Sequence, residues 1–219
     1  MEKGFFIVFE GIDGSGKSTQ AERLHGRLVG EGIDCLLTEE PGGTPEGRHI
    51  RDLVLDPKRR VSPKTELFLF LADRAEHVEK VIRPALETGK TVICSRYFYS
   101  TLVYQGIARR LADIEFLEEI NLFSVGNILP DIVFLIDVHP GRGLSKAKAA
   151  PDKPFHRHGG DRIEQQGEEF QETVRRGYLE LAERYKNTFV VIDGGRDVHE
   201  VGETIYFTIK EIRKGGTPA

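Results

Sequence analysis

Gly11, Gly16, Lys17 and Ser18, in the segment GIDGSGKS, are spaced as a phosphate-binding loop. Gly14 and Gly16 let the backbone wrap with its N–H groups turned inward, and Lys17 reaches the outer phosphates of a bound chain. Ser18 offers a hydroxyl to the Mg²⁺ that accompanies those phosphates. The apolar run FFIVF before the loop and helical sequence from about Ser18 after it supply the strand and helix that the motif requires. A nucleoside triphosphate is therefore the expected ligand, but the loop alone does not separate a kinase from a switch or a motor. A GTPase switch is expected to carry NKxD for reading guanine, and a motor ATPase a hydrophobic strand ending in paired acids. The chain has neither.

A second chemistry is suggested by the segment Glu66 to Glu87, ELFLFLADRAEHVEKVIRPALE, read as one helix. Its spacing puts Phe70, Arg74 and His77 along one face, so that an aromatic ring and a guanidinium lie side by side. Such a pair suits a planar base, with the ring stacking and the guanidinium donating to exocyclic oxygens. Taken alone, the helix fits a core Phe beside a solvated Arg better than a base site.

The elements that must position these groups are legible as short apolar runs. They lie at Phe5–Phe9, Cys35–Leu37, Thr91–Cys94, Ile132–Ile136 and Phe189–Ile192, bounded by Gly, Pro or charge and separated by segments of helical spacing. The helical set Phe170, Val174, Tyr178, Leu181 and Tyr185 is one example. Alternation of this kind predicts βαβ crossovers, hence a parallel sheet with helices on both faces. The 219 residues suit one α/β domain or two small ones, and with no clean interdomain linker the chain is read as a single domain, 1–219. A net charge of −4, from 31 basic and 35 acidic residues well mixed, disfavours nucleic acid and membrane as partners and favours a small molecule. Cys35 and Cys94 sit in apolar runs and read as reduced core thiols, which points to the cytoplasm. The N-terminal apolar run is too short for a signal peptide or a membrane span. Lys146 to Gly160 is basic, contains Pro and Gly, and has almost no large apolar residue, so it is expected to be an exposed, mobile excursion.

Two further segments, TEEPGGTPEGRHIRDLVL at 38–55 and SRYFYSTLVYQG at 95–106, each follow a predicted strand and so fall at the carboxyl edge of the sheet, where open α/β folds bind ligands. With FEGIDGSGKST, FLADRAEH, DRIE at 161–164 and VRRGY at 174–178, they run in an order and over a length that resemble the thymidylate kinases, a branch of the P-loop nucleoside monophosphate kinases. The resemblance implies a P-loop NTPase three-layer α/β sandwich, a five-stranded parallel sheet flanked by helices, with a small lid at about 146–160. It implies ATP-dependent phosphorylation of dTMP to dTDP in dTTP biosynthesis, with Mg²⁺, in a cytoplasmic homodimer.

By that resemblance ATP is bound by Gly11, Ile12, Asp13, Gly14, Ser15, Gly16, Lys17, Ser18 and Thr19, with Ser18 on the metal. Phe70 stacks on thymine and Arg74 donates to its carbonyl, which turns the helix toward function. Arg96 and Arg51 clamp the dTMP phosphate, as planar guanidinium forks suit phosphate oxygens. Tyr104 lies under the sugar C2′ and leaves no room for a ribose hydroxyl. Gln105, Ser100 and Thr101 line base and sugar, although helix capping would explain Ser100 and Thr101 almost as well. Glu40, followed by Pro41, and Asp13 lie between donor and acceptor. One subgroup of the family carries an Arg in the phosphate loop; here that position is Gly14, so the missing charge is expected from the lid. Lys146, Lys148, Lys153 and Arg157 are its candidates, with Arg157 joining Lys17, Asp13 and Arg96 as catalytic residues. Arg162 in DRIE is expected to pair with an acid.

Three positions depart from the family pattern: Ser95 for the Asp of DRY, Glu39 for the Arg of TREPGGT, and Tyr99 for a frequent Asp. Ser95 removes an acid that commonly helps hold Mg²⁺, so either metal affinity falls or another acid, Glu40 or Asp13, compensates, and Glu39 removes a positive charge near the acceptor, which would weaken binding. They leave room for a kinase of another monophosphate such as dUMP, or for a nucleotide-binding regulatory protein with weak catalysis.

Overall fold

Five short β-branched and aromatic runs form five parallel strands: β1 (Phe5–Glu10), β2 (Cys35–Glu39), β3 (Thr91–Ser95), β4 (Ile132–Asp137) and β5 (Phe189–Asp193). They are ordered β2-β3-β1-β4-β5 in a computed structural model that describes residues 4–149 and 161–213. Every neighbouring pair is parallel, with Phe5 opposite Thr91 and Ile7 opposite Ile132 fixing the central register. Each strand outlasts its apolar run and ends on a polar residue: Glu10, Glu39, Ser95, Asp137 or Asp193. Hydrophobic runs mark where a strand is buried, whereas its last residue already faces the ligand edge of the sheet.

Alternation along the strands divides the core. Phe6, Val8, Val92, Cys94, Val133 and Leu135 pack on one face, and Ile7, Phe9, Ile93, Phe134 and Ile136 on the other. The second face is covered by α1 (Lys17–Gly30) and α9 (Val198–Arg213). The first lies under α2 (Pro45–Leu55), α3 (Pro63–His77), α4 (Arg83–Glu87), α5 (Phe98–Thr101), α6 (Ile114–Val125) and α8 (Glu168–Arg184). Helix α7 (Pro140–Ala149) follows β4. The three layers expected from the sequence are thus present. The two cysteines fall on opposite faces; Cys94 is buried, but Cys35 is only half-buried, so it is not the core thiol expected of it.

Three helices start as local chemistry directs. Thr44, Ser62 and Asp113 accept from the backbone N–H of Gly47, Thr65 and Phe116, and Pro45 and Pro63 occupy the first turn where no donor is missed. The helix expected over 66–87 is not one α-helix. Val78–Ile82 widens into a π-helical stretch before α4, which contains Pro84, a residue that cannot donate into an α-helical ladder. A second π-helical stretch, Leu102–Ala108, carries Tyr104 and Gln105. The excursion expected from Lys146 starts later, because Lys146–Ala149 form the end of α7. Residues 150–160, with Lys153 and Arg157, lie outside the described residues.

Two glycines differ in what they do. Gly11 has φ 140°, and a Cβ there would meet the Ile136 carbonyl oxygen at 2.5 Å, so only glycine lets β1 turn into the loop beside β4. Gly26 lies exposed inside α1, where a Cβ would meet nothing within 4 Å. Gly11→Ala is expected to destabilise the fold by roughly 2 kcal/mol or more. Gly26→Ala should stabilise it by about 1 kcal/mol. Denaturant melts of the two variants check both signs.

Candidate active site

Strand order places the site. Strand β1 leads through its loop toward β2 on one side, whereas the chain after β3 crosses to β4 on the other, so a crevice opens at the carboxyl ends of these adjacent strands. A cleft of about 570 Å³ occupies it. One end is walled by Asp13, Gly14, Ser15, Gly16, Lys17, Ser18 and Thr19, and the other by Glu40, Pro41, Arg51, Phe70, Arg74, Arg96, Ser100, Thr101, Tyr104 and Gln105. The structure therefore brings together in one space almost all the residues singled out in the sequence. Gly11 and Ile12 form the underside of the loop instead, their carbonyls accepting from Arg96 Nη1 and Lys17 Nζ respectively, His77 lies outside the cleft, and Arg157 lies outside the described residues.

The loop is preformed. Gly14 and Gly16 have φ 72° and 99°, Gly16 starts α1, and Lys17 Nζ folds back onto the Ile12 carbonyl at 2.7 Å. Ser18 Oγ lies 3.4 Å from Ser95 Oγ, so the residue replacing the expected Asp faces the expected metal ligand directly. Among the described residues no group of three or more His, Cys, Asp or Glu could hold a metal ion. Mg²⁺ suits this arrangement, since it commonly takes one or two protein oxygens and fills its shell with phosphates and waters.

Arg96 sits at the junction of the two ends, in the left-handed region at φ 73°, a conformation that costs a non-glycine residue about 1 kcal/mol or more and is kept only where the surroundings impose it. Its Nη2 donates to Asp13 Oδ1 at 2.5 Å, and its Nη1 donates to Ser100 Oγ and Tyr178 Oη, both at 3.2 Å. Behind it Glu10 is fully buried and accepts from Tyr97 N–H, Ser100 Oγ and Tyr178 Oη. Burial raises the Glu10 carboxyl, opposed by the Arg96 charge and these hydrogen bonds. Burial likewise pushes the Tyr104 hydroxyl well up, so Tyr104 stays neutral beside Arg96. Gln171 of α8 donates to Asp13 Oδ2 at 3.2 Å.

At the far end Arg74 is buried and held by Glu40 Oε2 at 2.8 Å, Thr101 Oγ1 at 3.0 Å and Asn121 Oδ1 at 2.5 Å. Glu40 also contacts His77 Nδ1 at 3.0 Å. Glu40 is therefore built into the wall that holds Arg74. His77 is completely buried and bonded to Thr38, away from the cleft that Phe70 and Arg74 line. Neither Ser100 nor Thr101 caps a helix: α5 starts at Tyr97 without a side-chain cap, and both hydroxyls serve arginines. Arg51 donates to Glu39 and to the Pro41 carbonyl, so Glu39, expected only to remove positive charge near the acceptor, tethers a neighbouring guanidinium. Tyr99 is core, stacked on Phe98 and edge-on to Phe189. Arg162 pairs with an acid as expected, the buried Glu66, which Gln105 and Arg109 also contact.

Several groups escaped the sequence reading. Glu10 had one signal, a lone acid ending an apolar run just before the glycine loop. Arg142, Arg196 and Val198, which line the cleft beyond the phosphate loop, had none. Asp73, buried beside Arg74, accepts from Gly42 N–H at 2.9 Å; burial, and then the Glu40 charge, push its carboxyl up to about 6.

A raised carboxyl favours the folded state while protonated. The Asp73 contribution is thus full below its unfolded pKa near 4 and is lost as pH rises through about 6. Asp73→Asn keeps an acceptor for Gly42 and removes the charge. Its stability gain over the unmodified chain should be absent near pH 4, grow toward pH 7 and level off at roughly 2 kcal/mol, as read from denaturant midpoints across pH.

Comparison with known proteins agrees over nearly the whole chain. The thymidylate kinase family model matches residues 9–205. A thymidylate kinase of Halothermothrix orenii is 42% identical over 209 residues, 95% of this chain and 97% of its own. One of Desulfosudis oleivorans is 44% identical over 208 residues, 94% of this chain and 97% of its own. The crystal structure of a thymidylate kinase from Ehrlichia chaffeensis superposes with a TM-score of 0.75 at 31% identity, covering 95% of this chain and 99% of that one.

Proposed function

The chain belongs to the thymidylate kinase family, and on that premise we propose how its cleft moves a phosphoryl group from ATP to dTMP. The enzyme is a nucleoside monophosphate kinase that makes dTDP. One observation carries the assignment of roles: the glycine loop and the Phe70–Arg74–Arg96–Tyr104 set line a single continuous cleft. ATP lies with its phosphates in the loop, on the N–H groups at the start of α1, with Lys17 on the outer phosphates. Thymine lies on Phe70 with Arg74 donating to its carbonyl, and Tyr104 closes the space below the sugar.

A phosphate monoester has a second pKa of about 6 and is already a dianion at neutral pH, so no general base is required. An oxygen of dTMP attacks the γ-phosphorus of ATP, and the bond to the β-phosphate oxygen breaks to release ADP. The protein's task is to bring two anions together and neutralise them. Arg96, with Arg51, holds the acceptor phosphate, Lys17 the donor, and Asp13 fixes Arg96 at the meeting point. Ser18 would hold Mg²⁺, which would supply further charge neutralisation. Arg157, to which the resemblance assigns the remaining positive charge, lies outside the described residues, and the chain reads as a single domain.

The choice of substrate is tested by ADP release with dTMP, dUMP, CMP, AMP, GMP and thymidine in parallel. Turnover is expected to be highest with dTMP and absent with thymidine; ATP binding without dTMP turnover would overturn the reading. Tyr104→Ala should raise the rate on ribonucleoside monophosphates relative to dTMP by about tenfold, the scale of a removed steric exclusion. Tyr104→Phe should leave the preference alone.

The enzyme works as a homodimer in the cytoplasm. In support, Phe68 of α3 and Phe116 and Phe123 of α6 are exposed on packed neighbouring helices, Phe123 at 90%. Exposed aromatics of this kind are characteristic of a buried interface. A second copy covers them, and Phe123→Glu should shift the chain to monomer in sedimentation velocity while a melt shows it folded.

A further inference from the structure

We infer that Glu10 is a positioning residue for the acceptor phosphate, orienting Arg96 through the hydroxyls of Ser100 and Tyr178; this rests on the reading of Arg96 as the phosphate clamp. Glu10 ends β1, is completely buried, and lies behind Arg96. A carboxylate only accepts hydrogen bonds. Ser100 Oγ and Tyr178 Oη both donate to Glu10 Oε2 at 2.8 Å, and the carboxylate wins these protons over the 2.8 Å contact that the two hydroxyls make with each other. Their lone pairs then face Arg96 Nη1, a group that only donates, 3.2 Å from each. The charge of Glu10 thereby fixes the polarity of two hydroxyls and turns both into acceptors for the guanidinium.

The same carboxylate works on the backbone. Glu10 Oε1 accepts the N–H of Tyr97 at 2.9 Å, and the N–H of Arg96 itself donates to the Phe9 carbonyl at 2.9 Å. The left-handed residue is thus pinned on both sides by the end of β1. Two independent devices, one on the main chain and one on the side chain, converge on the direction in which Arg96 points. Neither touches the donor nucleotide, whose phosphates are held by the loop and Lys17. The acceptor side alone should feel the loss of Glu10.

Glu10→Gln tests this with almost no change of volume. The Gln amide keeps an oxygen for Tyr97 N–H, but its nitrogen now donates to Ser100 and Tyr178, whose protons must turn toward Arg96 and set donor against donor. The expected result is a rise of at least tenfold in KM for dTMP, with KM for ATP within twofold and a folded melting profile. Adding Tyr178→Phe to Glu10→Gln should cost less than the same change in the unmodified enzyme, because the hydroxyl it removes no longer serves Arg96. A KM for dTMP within twofold, an equal loss of ATP affinity, or additive effects of the two changes would overturn the role. Should Glu10→Gln fail to fold, Ser100→Ala with Tyr178→Phe removes both relays. That pair is expected to raise KM for dTMP at least tenfold, and an unchanged value would overturn the role equally. Absence of dTMP turnover in the unmodified enzyme would strike the reading of the cleft itself, a result distinct from any of these.

Discussion

Arg96 ties the two halves of the cleft, and its position depends on the parallel pairing of β1 with β3. The strands run side by side in register from Phe5 opposite Thr91 to Phe9 opposite Ser95, so the residues that follow each one emerge together. From β1 comes the phosphate loop; from β3 comes Arg96, whose backbone returns to the Phe9 carbonyl and whose guanidinium reaches Gly11 and Asp13. A parallel sheet leaves these connections at one edge, and the change of direction between β1 and β3 leaves space between them. Slipping this register by one residue would turn every side chain of the pair to the opposite face and separate Arg96 from the loop.

Behind that edge stand four buried carboxyl groups among the described residues: Glu10 under Arg96, Glu40 under Arg74, Glu66 under Gln105, Arg109 and Arg162, and Asp73 accepting from Gly42 N–H. Burying a charge is costly, and an ion pair inside a protein seldom gains stability over a well-packed apolar substitute. The return here is direction. Arg74 is gripped at Nε by Glu40 and at Nη1 by Thr101 and Asn121, which leaves its plane no freedom to swing. Guanidinium groups aimed in advance lose less freedom when a ligand arrives, which is how preorganisation raises affinity and rate. The raised Asp73 carboxyl and the left-handed Arg96 are costs of the same construction.

Much of this was legible in the sequence, for reasons that also define what was not. The five strands could be read because parallel strands covered on both faces are continuous apolar runs, and the glycine loop because its chemistry depends on backbone shape and on local spacing. Phe70 and Arg74 could be paired by helical periodicity. Glu10, Tyr178 and Gln171 come from positions far apart in the chain, joined only by tertiary packing around Arg96 and Asp13, and no local pattern carries that information. The break at Val78–Ile82 was hidden for a different reason: apolar spacing continues through a π-helical stretch, and Pro84 alone hinted that the backbone could not.

The positions that depart from the family pattern show how the fold absorbs change at an active edge. Glu39 does not simply subtract charge from the acceptor side; it pairs with Arg51, which the Pro41 carbonyl already holds at 2.6 Å. Both partners are partly exposed, so water screens the pair and its energetic weight is small beside its effect on where Arg51 points. Ser95 puts a hydroxyl opposite Ser18 where an acid was expected, and no carboxylate cluster among the described residues takes its place. A neutral pair of hydroxyls adds no charge to this edge of the cleft, whose lining includes Asp13, Lys17 and Arg96.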